Sequence, residues 1–264
     1  MIHFVGAGPG ATDLITVRGA DLLARADLVI YAGSLVNSDL LARYCRADAE
    51  VRDSSRMTLE EVLAALTVAD AAGREAVRLH TGDPSLYGAI REQMDALDRA
   101  GIAYDVTPGV SALSGAAAAL QAEYTLPAVS QSVIITRMEG RTPVPAGEKL
   151  ADLSCHGCTM VLFLSAGLLD RVQKELLRGA YAADTPAAIV YKATWPEERV
   201  VRCTVGTLAA AGRDAGIDRT ALIAVGDFLG ASYDRSQLYN PAFETSYRQA
   251  TTQDEGTGAS DGRA

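Results

Sequence analysis

The chain has 264 residues, nearly half of them apolar, with 24 basic and 33 acidic side chains and a formal charge of -9. That length builds one large or two smaller globular domains with an ample core, and the acidic balance argues against a nucleic-acid partner, which requires a concentration of Lys and Arg. No apolar run approaches the roughly 18 residues of a membrane span, and Met1 leads directly into IHFVG with no charged leader, so the expectation is a cytoplasmic protein with no membrane partner.

The first element, in IHFVGAGPGATDL, reads as a strand running into a glycine loop. Gly6, Gly8 and Ala11 meet the G-x-G-x-x-G/A spacing that brings a backbone close to a pyrophosphate. A dinucleotide site also needs an acidic residue at the end of the next strand, and here DLVIYAGS ends in Tyr31, Ala32 and Gly33. Pro9 removes a further N–H donor from the loop. The loop is therefore expected to face a ligand without phosphate.

Helices are predicted near 16–24 and 37–44, a short strand at AEVRDS, and a helix over TLEEVLAALTVADAAG, where apolar residues recur at helical spacing before a glycine. EAVRLHTGD then reads as a buried strand, followed by a helix near 89–100, the strand AYDVTPG and the alanine-rich helix SALSGAAAALQ. Strands alternating with helices imply a mostly parallel sheet, and ligands in such sheets sit beyond the carboxyl ends of the strands. The loops GAGPG and TGDPSLYG both fall at such ends.

Beyond residue 120 the pattern changes to longer strands joined partly without helices, in VSQSVIITR, TMVLFLSAG, AAIVYKATWPEERVVRCTVGTL and TALIAVGDFL. This predicts a mixed sheet. The expected organisation is two α/β domains, over 1–119 and 120–248, with a cleft between them, and a disordered polar tail over 249–264. Cys155 and Cys158 form one C-x-x-C pair, with Cys45 and Cys203 isolated. One pair is half a zinc site, so no metal centre is expected.

Four loop groups then require one explanation: VGAGPG, HTGDPSLYG, TPGVSALSGAA, and FLSAG with IVYKAT. Each bends the chain at a strand end with Gly or Pro, and none carries a catalytic triad, paired catalytic carboxylates or a metal cluster. Exposed main chain is their common property, which suits a compact polar ligand such as a folded nucleoside amino acid. In order and wording these loops closely resemble the tetrapyrrole methylases over about residues 2–248. The flanks YAGSLV, ITRMEGRTPVP and YDRSQLYNPAFETSYR look like the branch that methylates precorrin-4 at C-11 in cobalamin biosynthesis. The sirohaem branch has GGDPF where this chain has TGDPS.

The resemblance implies a tetrapyrrole methylase fold, a homodimer, and S-adenosylmethionine held between the two domains. By motif it assigns cofactor contacts to Pro9, Thr81, Gly82, Asp83, Leu86, Ser111, Ala112, Ser165, Ala166, Ala193 and Ala221. It assigns the tetrapyrrole side to Gly8, Tyr31, Tyr87, Arg137 and Arg141, and Asp83 becomes the candidate catalytic residue, orienting groups or accepting a proton. Precorrin-4 carries many carboxylates, so an acidic protein must gather cations near it, and Lys149, Arg52 and Arg56 are further candidates. A cobalt-containing precorrin-4, an NAD-type oxidoreductase and a non-catalytic tetrapyrrole carrier remain as alternatives. The small residues of SALSGAAAAL also point to a dimer contact.

Overall fold

A computed structural model describes residues 1–230 and 232–251. The first half alternates β1 (Ile2–Gly6), α1 (Val17–Arg25), β2 (Leu28–Tyr31), α2 (Ser38–Tyr44), β3 (Glu50–Asp53), α3 (Leu59–Ala71), β4 (Ala76–His80), α4 (Arg91–Ala100) and β5 (Tyr104–Thr107). All pairings are parallel, in the order β3-β2-β4-β1-β5. The period of two along each strand splits the core. Val5, Val29, Val77 and Leu79 pack with Leu22, Leu23 and Leu40 on the α1 and α2 side, while Ile2, Phe4, Leu28 and Ile30 pack with Leu66 and Leu97 on the other.

Local sequence starts and stops these helices. Thr16 accepts a hydrogen bond from the Gly19 N–H, Asn37 from that of Asp39, and Thr58 with Glu61 forms a reciprocal cap. The expected helix near 89–100 begins at Arg91, because Tyr87 and Ala89 adopt left-handed φ of 59° and 49° and postpone its first turn. Adjacent strands β1 and β4 lead to helices on opposite faces of the sheet, α1 with Leu22 and Leu23 on one and α4 with Leu97 on the other, while the loops that follow the two strands stay in contact through Gly8 and Gly82.

The second half contains α5 (Ala112–Leu120), β6 (Val133–Arg137), α6 (Leu150–Ser154), β7 (Thr159–Phe163), α7 (Leu169–Arg178), β8 (Pro186–Tyr191), β9 (Arg199–Thr204), α8 (Leu208–Asp214) and β10 (Ala221–Val225). Its sheet runs β6-β7-β10-β8-β9, with only β6 and β7 parallel, so it is mixed as expected. One face of α5 is buried within the chain. Ala116 and Leu120 pack with Val161, Ala188, Val190 and Ala224, and a Cβ on Gly115 would lie 2.9 Å from the Pro9 Cβ. Ser114 and Ala118, on the opposite face of α5, stay exposed.

Residues 232–251 form an exposed loop organised by Arg248, whose guanidinium donates to the carbonyls of Leu238, Asn240 and Phe243. Of the tail expected to be disordered, residues 249–251 are exposed and 252–264 lie outside the described residues.

Candidate active site

Three loops of the first half meet main chain to main chain. The Gly8 N–H donates to the Gly82 carbonyl at 3.2 Å and the Gly82 N–H returns a bond to Gly8 at 2.8 Å. A Cβ on Gly109 would lie 2.1 Å from the Gly82 oxygen, and one on Gly6 would lie 2.5 Å from the Gly109 Cα. Glycine is thus required so that three backbones can touch, and the first loop spends its Gly8 N–H on a neighbouring loop. That explains its G-x-G spacing without a phosphate.

Asp83 fastens the same cluster. Its Oδ2 accepts from the Gly109 N–H at 2.8 Å, and its Oδ1 accepts from the Ser85 N–H at 2.9 Å and from the Ser85 hydroxyl. Partial burial pushes its pKa upward, but the Ser85 hydroxyl and the two N–H donors outweigh that and hold the carboxyl below its ordinary value. Ser111 caps α5 by accepting from the Leu113 N–H, and it brings Ala112 beside Gly82.

In the second half, hydroxyls do the fastening. Ser165 is fully buried, accepts from the Met138 N–H at 2.7 Å and donates to the Phe163 carbonyl at 2.7 Å, so it joins the ends of β6 and β7. Ala166 follows it into the core. The turn after β8 carries Ala193, buried between Lys192 and Thr194, which take left-handed φ of 45° and 68°. Lys192 donates its N–H to the Thr220 carbonyl at 2.9 Å, which places this turn beside Ala221.

Side chains at the strand ends also bridge the halves. The Tyr87 ring lies 5.4 Å from that of Phe163. Burial raises the Tyr87 pKa, with Arg137 opposing and Glu148 adding to the shift. Another bridge is Trp195, whose Nε1–H donates to the Pro9 carbonyl at 3.0 Å, while the Ala11 N–H donates to the Thr194 hydroxyl at 2.9 Å.

Gly8, Pro9, Gly82, Asp83, Ser111 and Ala112 therefore come together, with Thr81 and Leu86 on the same loop. Ser165, Ala166, Ala193 and Ala221 stand at strand ends of the other sheet. Tyr31 ends β2 and packs toward the α1 and α2 core, its carbonyl accepting from Ser54. Arg137 donates to the carbonyls of Met138, Thr142 and Pro143, which braces the loop after β6, and Arg141 is exposed on that loop. Arg52 pairs with Glu50, Arg56 is exposed beyond β3, and Lys149 precedes α6. Sequence reasoning missed Thr194, Trp195 and Phe163. Thr194 and Phe163 fall in the loop groups IVYKAT and FLSAG without having been singled out, and the signal for Trp195 was that it is the chain's single tryptophan, set in the segment KATWPEE.

Beneath the cluster lies His80, buried, with no hydrogen-bond partner at Nε2. Burial, assisted by the Arg78 charge, pushes its pKa down to about 3, so the ring is neutral. Arg78 donates to the Gln93 side chain and the Ile30 carbonyl.

Residues 1–209 match the family model described as Tetrapyrrole (Corrin/Porphyrin) Methylases. A solved cobalt precorrin-4 methyltransferase, a cobalamin biosynthetic enzyme, superposes at a TM-score of 0.85 with 49% identity, covering 87% of this chain and 96% of its own. A precorrin-4 C(11)-methyltransferase of Mycobacterium tuberculosis is 48% identical over 250 residues, 94% of this chain and 99% of the relative. A solved uroporphyrin-III C-methyltransferase of Thermus thermophilus complexed with S-adenosyl homocysteine aligns at a TM-score of 0.71 with 25% identity, covering 86% of this chain and 98% of its own.

Proposed function

The chain belongs to the tetrapyrrole methylase family, and from that premise we propose that it transfers the methyl group of S-adenosylmethionine to C-11 of precorrin-4 in cobalamin biosynthesis. The observation that carries this reading is identity near one half, over almost the whole of both chains, with proteins so named. The loop cluster supports it independently.

The residues suit the methyl donor. Ala166, Ala193 and Ala221 put small side chains at strand ends and Ala112 puts one at the start of α5, which lets main-chain groups approach a nucleoside amino acid, while Gly82 lets the loops behind them close. Pro9, Thr81, Leu86, Ser111 and Ser165 complete the set that would hold it. When bound, S-adenosylmethionine supplies an electrophilic sulfonium methyl, and the tetrapyrrole supplies the nucleophilic ring carbon. The protein's share is alignment and the exclusion of water, and alignment alone is worth on the order of 7 to 11 kcal/mol in favourable intramolecular models.

Each group has a task within that share. Asp83 already accepts three hydrogen bonds, which hold its pKa down and make it a weak base, and this supports an orienting role in joining the loops after β4 and β5 over a role as proton acceptor. Gly8, Tyr31 and Tyr87 serve the tetrapyrrole side, with Tyr87 spanning to Phe163. Arg137 and Arg141 offer cations to peripheral carboxylates from the loop after β6. None of the helices among the described residues is long and apolar enough to cross a membrane, and the proposed setting is the cytoplasm. A homodimer is part of the same proposal: Tyr233, Leu238, Tyr239, Phe243 and Tyr247 are exposed on the loop organised by Arg248. Light scattering at the mass of a single chain removes it.

The test of the activity uses isotope-labelled S-adenosylmethionine with metal-free and cobalt-containing precorrin-4 side by side. The expected product is one methyl heavier, with label on C-11 by NMR. Label on another ring carbon refutes the position, and the faster of the two substrates identifies the metal state. S-adenosylhomocysteine is expected to raise the melting temperature as RT ln(1 + [L]/Kd) requires of a native-state ligand. A shift with NAD and none with S-adenosylhomocysteine overturns the methylase reading.

A further inference from the structure

One loop of the second half grips the first glycine loop from across the cleft. The segment Lys192–Glu198 connects β8 to β9 and reaches Pro9–Ala11, some 186 residues earlier in the chain. Its grip has three parts. Trp195 donates from Nε1 to the Pro9 carbonyl, Thr194 accepts from the Ala11 N–H, and the indole lies so close over Gly10 that a Cβ there would stand 2.0 Å from the Trp195 Cδ1. The glycine loop is also held from its own half, by the Asn37 amide on the Gly10 carbonyl at 3.1 Å and by Arg43 on the Thr12 hydroxyl at 3.0 Å.

The gripping segment is built in advance for this contact. Glu198 accepts the Thr194 N–H at 2.6 Å, and the Lys192 ammonium lies 4.9 Å over the Trp195 ring while pairing with Glu197. Lys192 and Thr194 both hold left-handed φ, and for a β-branched residue such as Thr194 that conformation is strained. Trp195 is only half buried, so it does not fill a core. The strained turn and the half-buried indole both act on the placement of that loop.

We infer that Thr194 and Trp195 are positioning residues for methyl transfer, fixing the loop Gly8–Ala11, which carries tetrapyrrole-side Gly8 beside cofactor-side Pro9, against the cofactor turn at Ala193. The inference rests on the proposed function, because it takes Gly8 and Ala193 as belonging to opposite reactants. Thr194 follows Ala193 directly, so its bond to Ala11 sets the spacing between the two sides through one residue. Bonds of this kind control alignment at the reacting atoms more than affinity for either ligand. By linkage, a ligand that tightens the grip from one side also tightens binding on the other.

The single tryptophan makes the test direct. Saturating S-adenosylhomocysteine is expected to change the Trp195 emission of the wild-type protein. Thr194→Val keeps the side-chain shape and loses the acceptor, Thr194→Ser keeps the acceptor, and Trp195→Phe loses the indole N–H. Thr194→Val and Trp195→Phe are each expected to lower kcat about tenfold or more. Their calorimetric Kd for S-adenosylhomocysteine is expected to stay within about threefold of wild type, with Thr194→Ser restoring most of kcat. A kcat within about twofold of wild type in both variants overturns the inference, whatever their melting temperatures. So do an emission unchanged at saturation and a Thr194→Ser variant as slow as Thr194→Val. Failure of the wild-type protein to bind S-adenosylhomocysteine by calorimetry overturns the functional reading and this inference together, whereas the other results strike the inference alone.

Discussion

The loops after β1, β4 and β5 are joined backbone to backbone, with Gly6, Gly82 and Gly109 closing the distance, whereas the ends of β6 and β7 are joined through the Ser165 side chain and the loop after β8 is joined to the loop after β1 through those of Thr194 and Trp195. A backbone contact offers no atom to vary, so change there is close to all or none. A hydroxyl joint can be weakened one bond at a time. The first half therefore sets a fixed frame for the site, and the second half is where spacing can be adjusted.

The sharpest way to break that comparison is Gly109→Ala. The new Cβ would stand 2.1 Å from the Gly82 oxygen, a backbone atom that cannot rotate away. Overpacking a tight site costs typically 1 to 3 kcal/mol, and a clash against fixed main chain belongs at or above the top of that range, at about 3 kcal/mol. Urea unfolding is expected to show this loss together with loss of S-adenosylhomocysteine binding. A variant with a native midpoint would mean that the three loops can part freely.

Ser165→Ala tests the other half and should do less. It leaves the buried Met138 N–H without its acceptor, for which the expected cost is about 1 to 3 kcal/mol. Chemical denaturation measures it, and binding of S-adenosylhomocysteine should weaken without vanishing. A loss as large as that of Gly109→Ala would erase the distinction between the halves.

These joints also mark where sequence reasoning stopped. The parallel sheet, the mixed sheet and the loops at strand ends were legible because strand alternation, helical spacing and glycine punctuation are local signals. The start of α4 was misplaced by two residues because left-handed φ at Tyr87 and Ala89 has no marker in residue type. A sequence does not say which neighbour the small residues of α5 receive; Gly115 and Ala116 receive Pro9 and the second sheet, while Ser114 and Ala118 stay exposed. Trp195 was invisible as a site residue because its partner, Pro9, lies 186 residues away. The cofactor residues are proposed through resemblance alone, since backbone recognition leaves almost no trace in side-chain chemistry.

The frame of the first half rests on a neutral histidine, which adds a pH dependence that the second half should lack. The folded-state pKa of His80 is depressed to about 3 from an ordinary 6.5, so between those values the unfolded chain binds a proton that the folded chain refuses. Stability then falls as pH falls below about 6.5, by up to about 1.4 kcal/mol per pH unit, and by about 1 kcal/mol between pH 7 and 5.5. His80→Leu removes the titrating group, and its unfolding free energy should decline less over the same interval. Parallel pH profiles for the two proteins would show that His80 is protonated as readily in the folded state as in the unfolded one.

The smallest stability effect is expected on the loop after β6, and it separates two arginines that look alike in the sequence. Arg137 donates to three carbonyls of its own loop, so Arg137→Ala should loosen the segment that presents Arg141 and should change both KM for the tetrapyrrole and kcat. Arg141 is exposed, and removing an exposed charge costs the fold between about 0 and 1 kcal/mol, with the low end expected here. If it meets a peripheral carboxylate, Arg141→Ala should raise KM for precorrin-4 alone, leave kcat and the affinity for S-adenosylhomocysteine in place, and reduce the salt dependence of KM, because one screened ion pair has been removed. The double variant should then resemble Arg137→Ala in kcat and exceed either single variant in KM. Loss of cofactor affinity in Arg141→Ala would place that loop on the other side of the cleft, and the second half would then hold both reactants through the loops that it can adjust.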